Sequence, residues 1–257
     1  MPRIDSYEDL TDNIVRWLKD YYYEHSIDAF VVGVSGGIDS AVVSSLCART
    51  GLPTYVVCMP LDSKFENSKL SDAHSKALVE KYDNVRRIEI ELSSVYEGFL
   101  NSVEWWSEAQ HYNKKEFTAS PHANANTKSR IRMVTLYQIA GSVGGIVVGT
   151  GNKVEDYGVG FYTKYGDGGV DIAPIADLYK TEVWELGEYL GVDQRIVDAQ
   201  PTDGLWDDSR TDETQLGASY PELEEAMETG TGPGVEVLNR FNTLNKHKME
   251  PIPTFKL

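Results

Sequence analysis

Apolar residues recur at three- and four-residue spacing over 5–24, where Leu10, Ile14, Trp17, Leu18 and Tyr21 form one stripe behind Ser6. This predicts an amphipathic helix with a serine cap. The period then changes. Residues 29–34, Ala-Phe-Val-Val-Gly-Val, are a short continuous apolar run, the mark of a strand buried on both faces, and they lead straight into Ser35-Gly36-Gly37-Ile38-Asp39-Ser40. Residues 41–50 read as a helix closed by Gly51, 54–59 as a strand, 66–82 as a helix, 85–92 as a strand and 94–107 as a helix. The stretch 109–126 is polar and irregular, 128–143 reads as a helix, and 145–150 as a fourth buried strand. Residues 161–174, rich in Gly, Tyr and Asp, suit a loop before a capped helix over 177–190. Strands alternating with helices predict right-handed crossovers and a parallel sheet covered on both faces. With no repeat and no visible linker, 1–257 reads as a single domain.

Composition narrows the class. The chain has 257 residues, with 24 Lys+Arg against 40 Asp+Glu and a net charge of −16. That balance argues against nucleic acid or an anionic membrane as a partner. A hydrophobic share of 41% is ordinary for a globular protein and excludes disorder or a fibrous repeat. Cys47 and Cys58 stand eleven positions apart, which is no disulfide framework and no zinc spacing, so both read as small buried side chains in a reducing compartment. The N-terminus lacks a secretory signal pattern, and no apolar run reaches the roughly 18 residues of a membrane span. The expectation is a cytoplasmic protein.

The chemistry gathers at strand ends. Gly33-Val34-Ser35-Gly36-Gly37-Ile38-Asp39-Ser40 sets a glycine pair and two hydroxyls between a buried strand and a helix, where backbone N–H groups and the helix dipole form an anion site. No Gly-Lys-Ser/Thr follows, so it is not a Walker A loop, and Ser35 breaks the dinucleotide fingerprint. A tight turn without a ligand is the bland reading; a phosphate cradle is the sharper one. Asp39, and Glu155 after the fourth strand, both leave C-terminal strand ends, where open α/β sheets bind ligands, and two carboxylates with phosphate oxygens suit Mg²⁺. No Ser-His-Asp or Cys-His arrangement stands out, and His25, His74, His111 and His122 have no metal-ligand spacing.

The Ser-Gly-Gly-x-Asp-Ser loop resembles that of the ATP pyrophosphatase superfamily, whose members cleave ATP to AMP and pyrophosphate to activate an oxygen for attack by nitrogen or sulfur. Further motifs resemble ammonia-dependent NAD synthetases over nearly the whole chain. They are residues 149–156 (Gly-Thr-Gly-Asn-Lys-Val-Glu-Asp), residues 161–174 (Phe-Tyr-Thr-Lys-Tyr-Gly-Asp-Gly-Gly-Val-Asp-Ile-Ala-Pro), residues 177–181 (Asp-Leu-Tyr-Lys-Thr), residues 212–217 (Asp-Glu-Thr-Gln-Leu-Gly) and His247-Lys248. The resemblance implies a doubly wound, Rossmann-like α/β fold with a mainly parallel five-stranded sheet in the order 3-2-1-4-5. It implies a carbon–nitrogen ligase that amidates deamido-NAD⁺ to NAD⁺ with free ammonia, since no glutamine-hydrolysing domain precedes the loop. ATP is cleaved to AMP and pyrophosphate through an adenylated nicotinate. The alternatives are another superfamily enzyme that adenylates a purine or a tRNA base, and a catalytically dead nucleotide-binding module.

Such chemistry asks for in-line positioning and charge neutralisation rather than a protein nucleophile, because the substrate's own carboxylate attacks. The resemblance assigns Mg²⁺ to Asp39 and Glu155. It assigns ATP to Gly33, Val34, Ser35, Gly36, Gly37, Asp39, Ser40, Thr150, Lys180 and Thr202. Deamido-NAD⁺ falls to Arg130, Lys164, Asp171, His247 and Lys248, with Asp171 also placed to orient ammonium or accept its proton. Arg132, two positions beyond Arg130, would face elsewhere on a helix. A symmetric homodimer is expected to complete the dinucleotide site. In 203–217, Asp203, Asp207, Asp208, Asp212 and Glu213 oppose only Arg210, a pattern that predicts a lid whose Leu205, Trp206 and Leu216 pack down over bound substrates.

Overall fold

The computed structural model describes residues 3–61, 65–109, 120–202, 204–205 and 211–256. Helix α1 (Tyr7–Glu24) follows Ser6, whose side chain accepts from the Asp9 amide. Strand β1 (Ala29–Gly33) runs through the loop into α2 (Ile38–Arg49). Next come β2 (Thr54–Cys58), α3 (Phe65–Lys81), β3 (Val85–Glu89), α4 (Ser93–Ala109), α5 (Pro121–Val143) and β4 (Gly145–Val147). A π-helix, Lys153–Val159, precedes α6 (Lys180–Leu190), α7 (Gln194–Val197), α8 (Asp212–Leu216), α9 (Tyr220–Thr229) and α10 (Val235–Met249).

All paired strands are parallel, in the order β3-β2-β1-β4. The first four places of the expected order hold, but among the described residues the sheet has four strands and not five. In place of the fifth stands one isolated parallel bridge between Val148 and Ile172, flanked by the bonds Asp171 N to Val147 O (2.9 Å) and Gly149 N to Ile172 O (2.7 Å). Pro174 follows two residues later with no N–H to extend a ladder, which ends the pairing.

Alternation along the strands sends side chains to two layers. Phe30 and Val32 of β1 join Leu18 of α1, Val42 and Leu46 of α2 and Val183 and Leu186 of α6, whereas Val31, Val57 and Val147 meet Ala140, Leu136 and Ile139 of α5. Each such aliphatic or aromatic side chain, fully withdrawn from water, stabilises the fold by about 1.5–3 kcal/mol. Ten of the twelve residues of α2 are buried, so it has no polar face, and its Ser44 and Ser45 donate back to Ser40 O and Ala41 O at 2.7 Å. The close approach of β1 and β4 needs Gly145, where a Cβ would stand 2.6 Å from the Ala29 carbonyl oxygen.

Strands β3 and β4 end three residues before the expected 92 and 150, and other boundaries differ from the sequence reading too. Helix α5 begins at Pro121, inside the stretch read as irregular, because Ser120 caps it through the Ala123 amide and proline occupies the first turn. Helix α6 begins at Lys180 rather than at Asp177, whose carboxylate instead takes Lys153 Nζ at 2.7 Å. Of the expected lid, residues 203 and 206–210, with Trp206, lie outside the described residues. Its other end is helix α8, where Leu216 is fully buried against Tyr220 and Leu223 and is part of a fixed core. Among the described residues no helix is long and apolar enough to cross a membrane.

Both cysteines are buried and free. His74 of α3 is buried with Nε2 at 2.9 Å from Ser44 Oγ of α2, and burial pulls its pKa down to about 4 against opposing effects of the Ala41 backbone and Asp193. Between pH 6.5 and 4 the unfolded chain therefore takes up a proton that the folded one refuses. Stability should fall across that window by on the order of 3 kcal/mol. Thermal melts from pH 7 to 4 on the wild type and His74→Gln should show a shallower acid loss in the variant; parallel curves would remove His74 from the acid response.

Candidate active site

A cavity of about 760 Å³ opens at the C-terminal ends of β1, β2 and β4. That volume suits a nucleotide with part of a second substrate. Its floor is the loop Gly33–Ser40. Gly36, at φ +93°, occupies backbone space open to glycine, and Gly37 caps α2 from an extended conformation. The two hydroxyls brace the turn: Ser40 Oγ donates to Gly37 O at 3.0 Å and accepts from Ser35 N at 3.2 Å, and Gly37 N donates to Ser35 Oγ at 3.2 Å. The backbone is thus held as an anion cradle at the start of α2.

Over the cradle stands a three-membered charge cluster. Lys180, the first residue of α6 and 2% exposed, donates from Nζ to Asp39 Oδ2 at 2.5 Å and to Glu155 Oε1 at 2.9 Å. The α6 terminus is pinned by the Tyr179 amide on Glu182 (2.8 Å) and by the Thr181 amide and hydroxyl on Glu224 (3.0 and 2.7 Å). Asn152 ties the carboxylates together. Its amide nitrogen donates to Asp39 Oδ1 at 3.1 Å, while its oxygen caps the π-helix by accepting from the Val154 and Glu155 amides, both at 3.1 Å.

Burial alone would pull the Lys180 pKa down, but the two carboxylates outweigh it and hold the ammonium above the ordinary lysine value. Burial raises Asp39 despite Lys180. Glu155 meets the same burial, yet Lys180 and the Tyr220 hydroxyl hold it below the ordinary carboxylate value. Asp156, also on the wall, is pushed up to about 8 by burial and by the neighbouring Glu155, Asp167 and Asp39.

The donor set fits a magnesium–nucleotide complex. Two half-buried carboxylates already converge on one cation beside an anion cradle, and Mg²⁺ takes one or two carboxylates with phosphate oxygens and water. Among the described residues no three His, Cys, Asp or Glu side chains come together to hold an ion by themselves.

Of the sequence-predicted residues, Gly33 to Ser40, Thr150, Glu155, Lys180 and Thr202 all line this cavity. The predicted dinucleotide residues fall outside its lining. Arg130 donates to the Lys164 carbonyl at 3.3 Å, Lys164 Nζ to the His247 carbonyl at 2.7 Å, and Lys248 Nζ to the carbonyls of Tyr162, at 2.8 Å, and Gly160. They form one cationic cluster on the neighbouring surface. Asp171 accepts from the Val147 amide at 2.8 Å and from the Tyr137 hydroxyl at 2.9 Å, closing the end of β4.

Arg132, expected to face elsewhere, lines the cavity, with Nε 3.4 Å from the Met59 carbonyl. Asp212, counted among the acids of the expected lid, is buried and also lines it. Sequence reasoning passed over Asn152 and Tyr220 as well. Asn152 carried a signal, a capping side chain directly after a strand-end Gly-Thr-Gly; Tyr220 carried none.

A family model described as NAD synthase matches residues 10–254. The chain is 34% identical over 251 residues to the NH(3)-dependent NAD(+) synthetase of Carboxydothermus hydrogenoformans, covering 95% of each. It is 35% identical over 247 residues to that of Alkaliphilus metalliredigens, covering 94% of this chain and 96% of the relative. Among solved structures it is similar to the NMN synthetase of Francisella tularensis, with a TM-score of 0.86 and 33% identity over 99% of this chain and 100% of that one.

Proposed function

The chain belongs to the NAD synthase family, and we propose that its cavity carries out ATP-driven, ammonia-dependent amidation of deamido-NAD⁺ to NAD⁺. It is a ligase of NAD biosynthesis. The observation that carries the mechanism is the buried Asp39–Lys180–Glu155 cluster standing over the loop 33–40. A carboxylate cannot be displaced by ammonia until an oxygen becomes a leaving group. In the first step the nicotinate carboxylate attacks the α-phosphorus of ATP and pyrophosphate departs. The cradle amides take the departing charge, and Lys180, kept protonated by the charge of its two carboxylates, neutralises it. Asp39 and Glu155 would hold Mg²⁺, which would supply positive charge where negative charge builds on the phosphates.

In the second step ammonia attacks the adenylated carbonyl and AMP leaves. Thr150 and Thr202 supply hydroxyls to ATP. Arg130, Lys164, His247 and Lys248 form the cationic face for the phosphates of deamido-NAD⁺. Asp171 orients ammonium with the lone pairs that Val147 and Tyr137 leave unused. We place the enzyme in the cytoplasm.

The assay offers deamido-NAD⁺ with Mg-ATP and ammonium, and scores AMP against ADP together with the amide formed. AMP with NAD⁺ is expected; ADP would overturn the adenylation route. A second reading is favoured by the likeness to the F. tularensis NMN synthetase: the acceptor would be the mononucleotide acid and the product NMN. Running both acids in parallel separates the two by their relative kcat/KM.

A symmetric homodimer belongs to this reading. Val95 and Phe99 of α4 and Val134 of α5 are 53%, 49% and 61% exposed, apolar side chains on two touching helices that a second copy would cover. Light scattering at micromolar concentration should give twice the 28.7 kDa chain mass. A fully active monomer would sink it.

A further inference from the structure

Tyr220 is the first residue of α9 and its side chain is wholly buried. Its backbone is fixed at a helix start. The Ser219 amide bonds Glu222 Oε2 at 2.8 Å, the Ser219 hydroxyl caps the Glu222 amide, and Pro221 follows in the first turn. The ring is held on two sides, edge-on to Trp184 at 5.8 Å between centroids and beneath Lys180 Nζ at 5.1 Å. Nothing in that packing needs a hydroxyl. Yet the phenol oxygen lies 2.7 Å from Glu155 Oε1 and 3.2 Å from Asp212 Oδ2.

We propose that Tyr220 is the positioning residue for Glu155, its hydroxyl fixing the carboxylate that the reading above assigns to the metal–nucleotide complex. Lys180 and Tyr220 both address the same oxygen, Oε1, from different elements. Two donors on one oxygen lock the carboxylate against rotation, whereas one donor leaves it free to swing about Cγ–Cδ. The phenol carries a single hydrogen. The shorter contact gives that hydrogen to Glu155, and it also separates Glu155 from the second buried acid, Asp212. The same phenol oxygen thus stands between the site and the start of α8, where Asp212 lies. Support of this kind behind a metal ligand typically governs about 10- to 100-fold in metal affinity or rate.

The test is a double-mutant cycle on Mn²⁺ binding, read by electron paramagnetic resonance in the presence of a non-hydrolysable ATP analogue and without any acceptor acid. The acceptor plays no part, so failure of the deamido-NAD⁺ reading leaves this readout intact. Tyr220→Phe keeps the ring under Lys180 and beside Trp184, and should weaken Mn²⁺ about tenfold while moving the melting temperature by only a few degrees. In the Glu155→Gln background the same change should alter Mn²⁺ affinity less than about twofold, because the carboxylate through which it acts is gone. An equal factor in both backgrounds, or no loss in the single variant, overturns the proposal. If Tyr220→Phe is recovered poorly, 3-fluorotyrosine at position 220 keeps ring and hydroxyl. Its fluorine resonance must then shift on Glu155→Gln, and an unmoved resonance likewise overturns it.

Discussion

Lys180→Met should release no measurable AMP or pyrophosphate and should melt far below the wild type at pH 8. The ammonium is 2% exposed and is the shared partner of Asp39 and Glu155, so its loss leaves two half-buried carboxylates facing each other without a counter-charge. Removing one partner from a buried ion cluster costs about 3–5 kcal/mol, far more than the intact cluster contributes net. The variant's pH response should carry the signature. Without Lys180, burial and mutual repulsion raise both carboxylate pKa values above those of the unfolded chain, so the folded variant holds protons that the unfolded chain has released. Stability is then fullest near pH 4 and is lost as pH rises toward the folded values. The melting temperature of Lys180→Met should therefore climb more steeply than the wild type's from pH 8 to pH 5, because in the wild type only Asp39 and Asp156 are raised, while Glu155 is held below its ordinary value and adds no gain there. A variant that melts like the wild type at both pH values would mean that Lys180 does not neutralise the pair.

The strand-to-helix turn at 33–40 was readable from the chain because the apolar period switches there from continuous to helical within a few residues. The order of the first four strands came from the resemblance. The cluster itself was not readable from local pattern: Asp39 and Lys180 lie 141 positions apart, and Glu155 and Tyr220 lie 65 apart. Motif resemblance supplied the first pair. Nothing local marks a helix-initial tyrosine whose hydroxyl turns inward, so the second was missed. Polar residues in His122-Ala123-Asn124-Ala125-Asn126-Thr127 hid the start of α5, although Ser120-Pro121 is a cap and first-turn signal. Asp212 was misassigned for a related reason. Counted as charge it belongs to an acidic surface, but its place at the N-terminus of α8 sends it into the cavity beside Tyr220. The fifth strand was overcounted because it came from the resemblance and not from the chain, whose residues 161–174 read as a loop and supply one isolated bridge before Pro174.

Asp39→Asn and Glu155→Gln should each lose adenylation by roughly 10²–10³-fold while metal-free ATP binding changes only a few-fold, since each removes a hard anionic oxygen where charge develops in the transition state. Their stabilities should differ. Asp39 accepts on both oxygens, from Lys180 Nζ through Oδ2 and from the Asn152 amide through Oδ1. An asparagine there must turn its NH₂ toward one of those two donors, and either flip leaves a buried donor facing a donor, a cost of about 1–3 kcal/mol. Glu155 takes Lys180 and Tyr220 on Oε1 alone, so a glutamine can keep its carbonyl oxygen there and direct its NH₂ to the other side. Asp39→Asn should therefore melt several degrees below Glu155→Gln, although the two are equally inactive. Pyrophosphate release at limiting and saturating Mg²⁺, with thermal melts of the same preparations, checks both parts. Wild-type release at limiting Mg²⁺ from either variant would remove that residue from the metal, and equal melting of the two would show that Asn152 does not depend on the Asp39 charge.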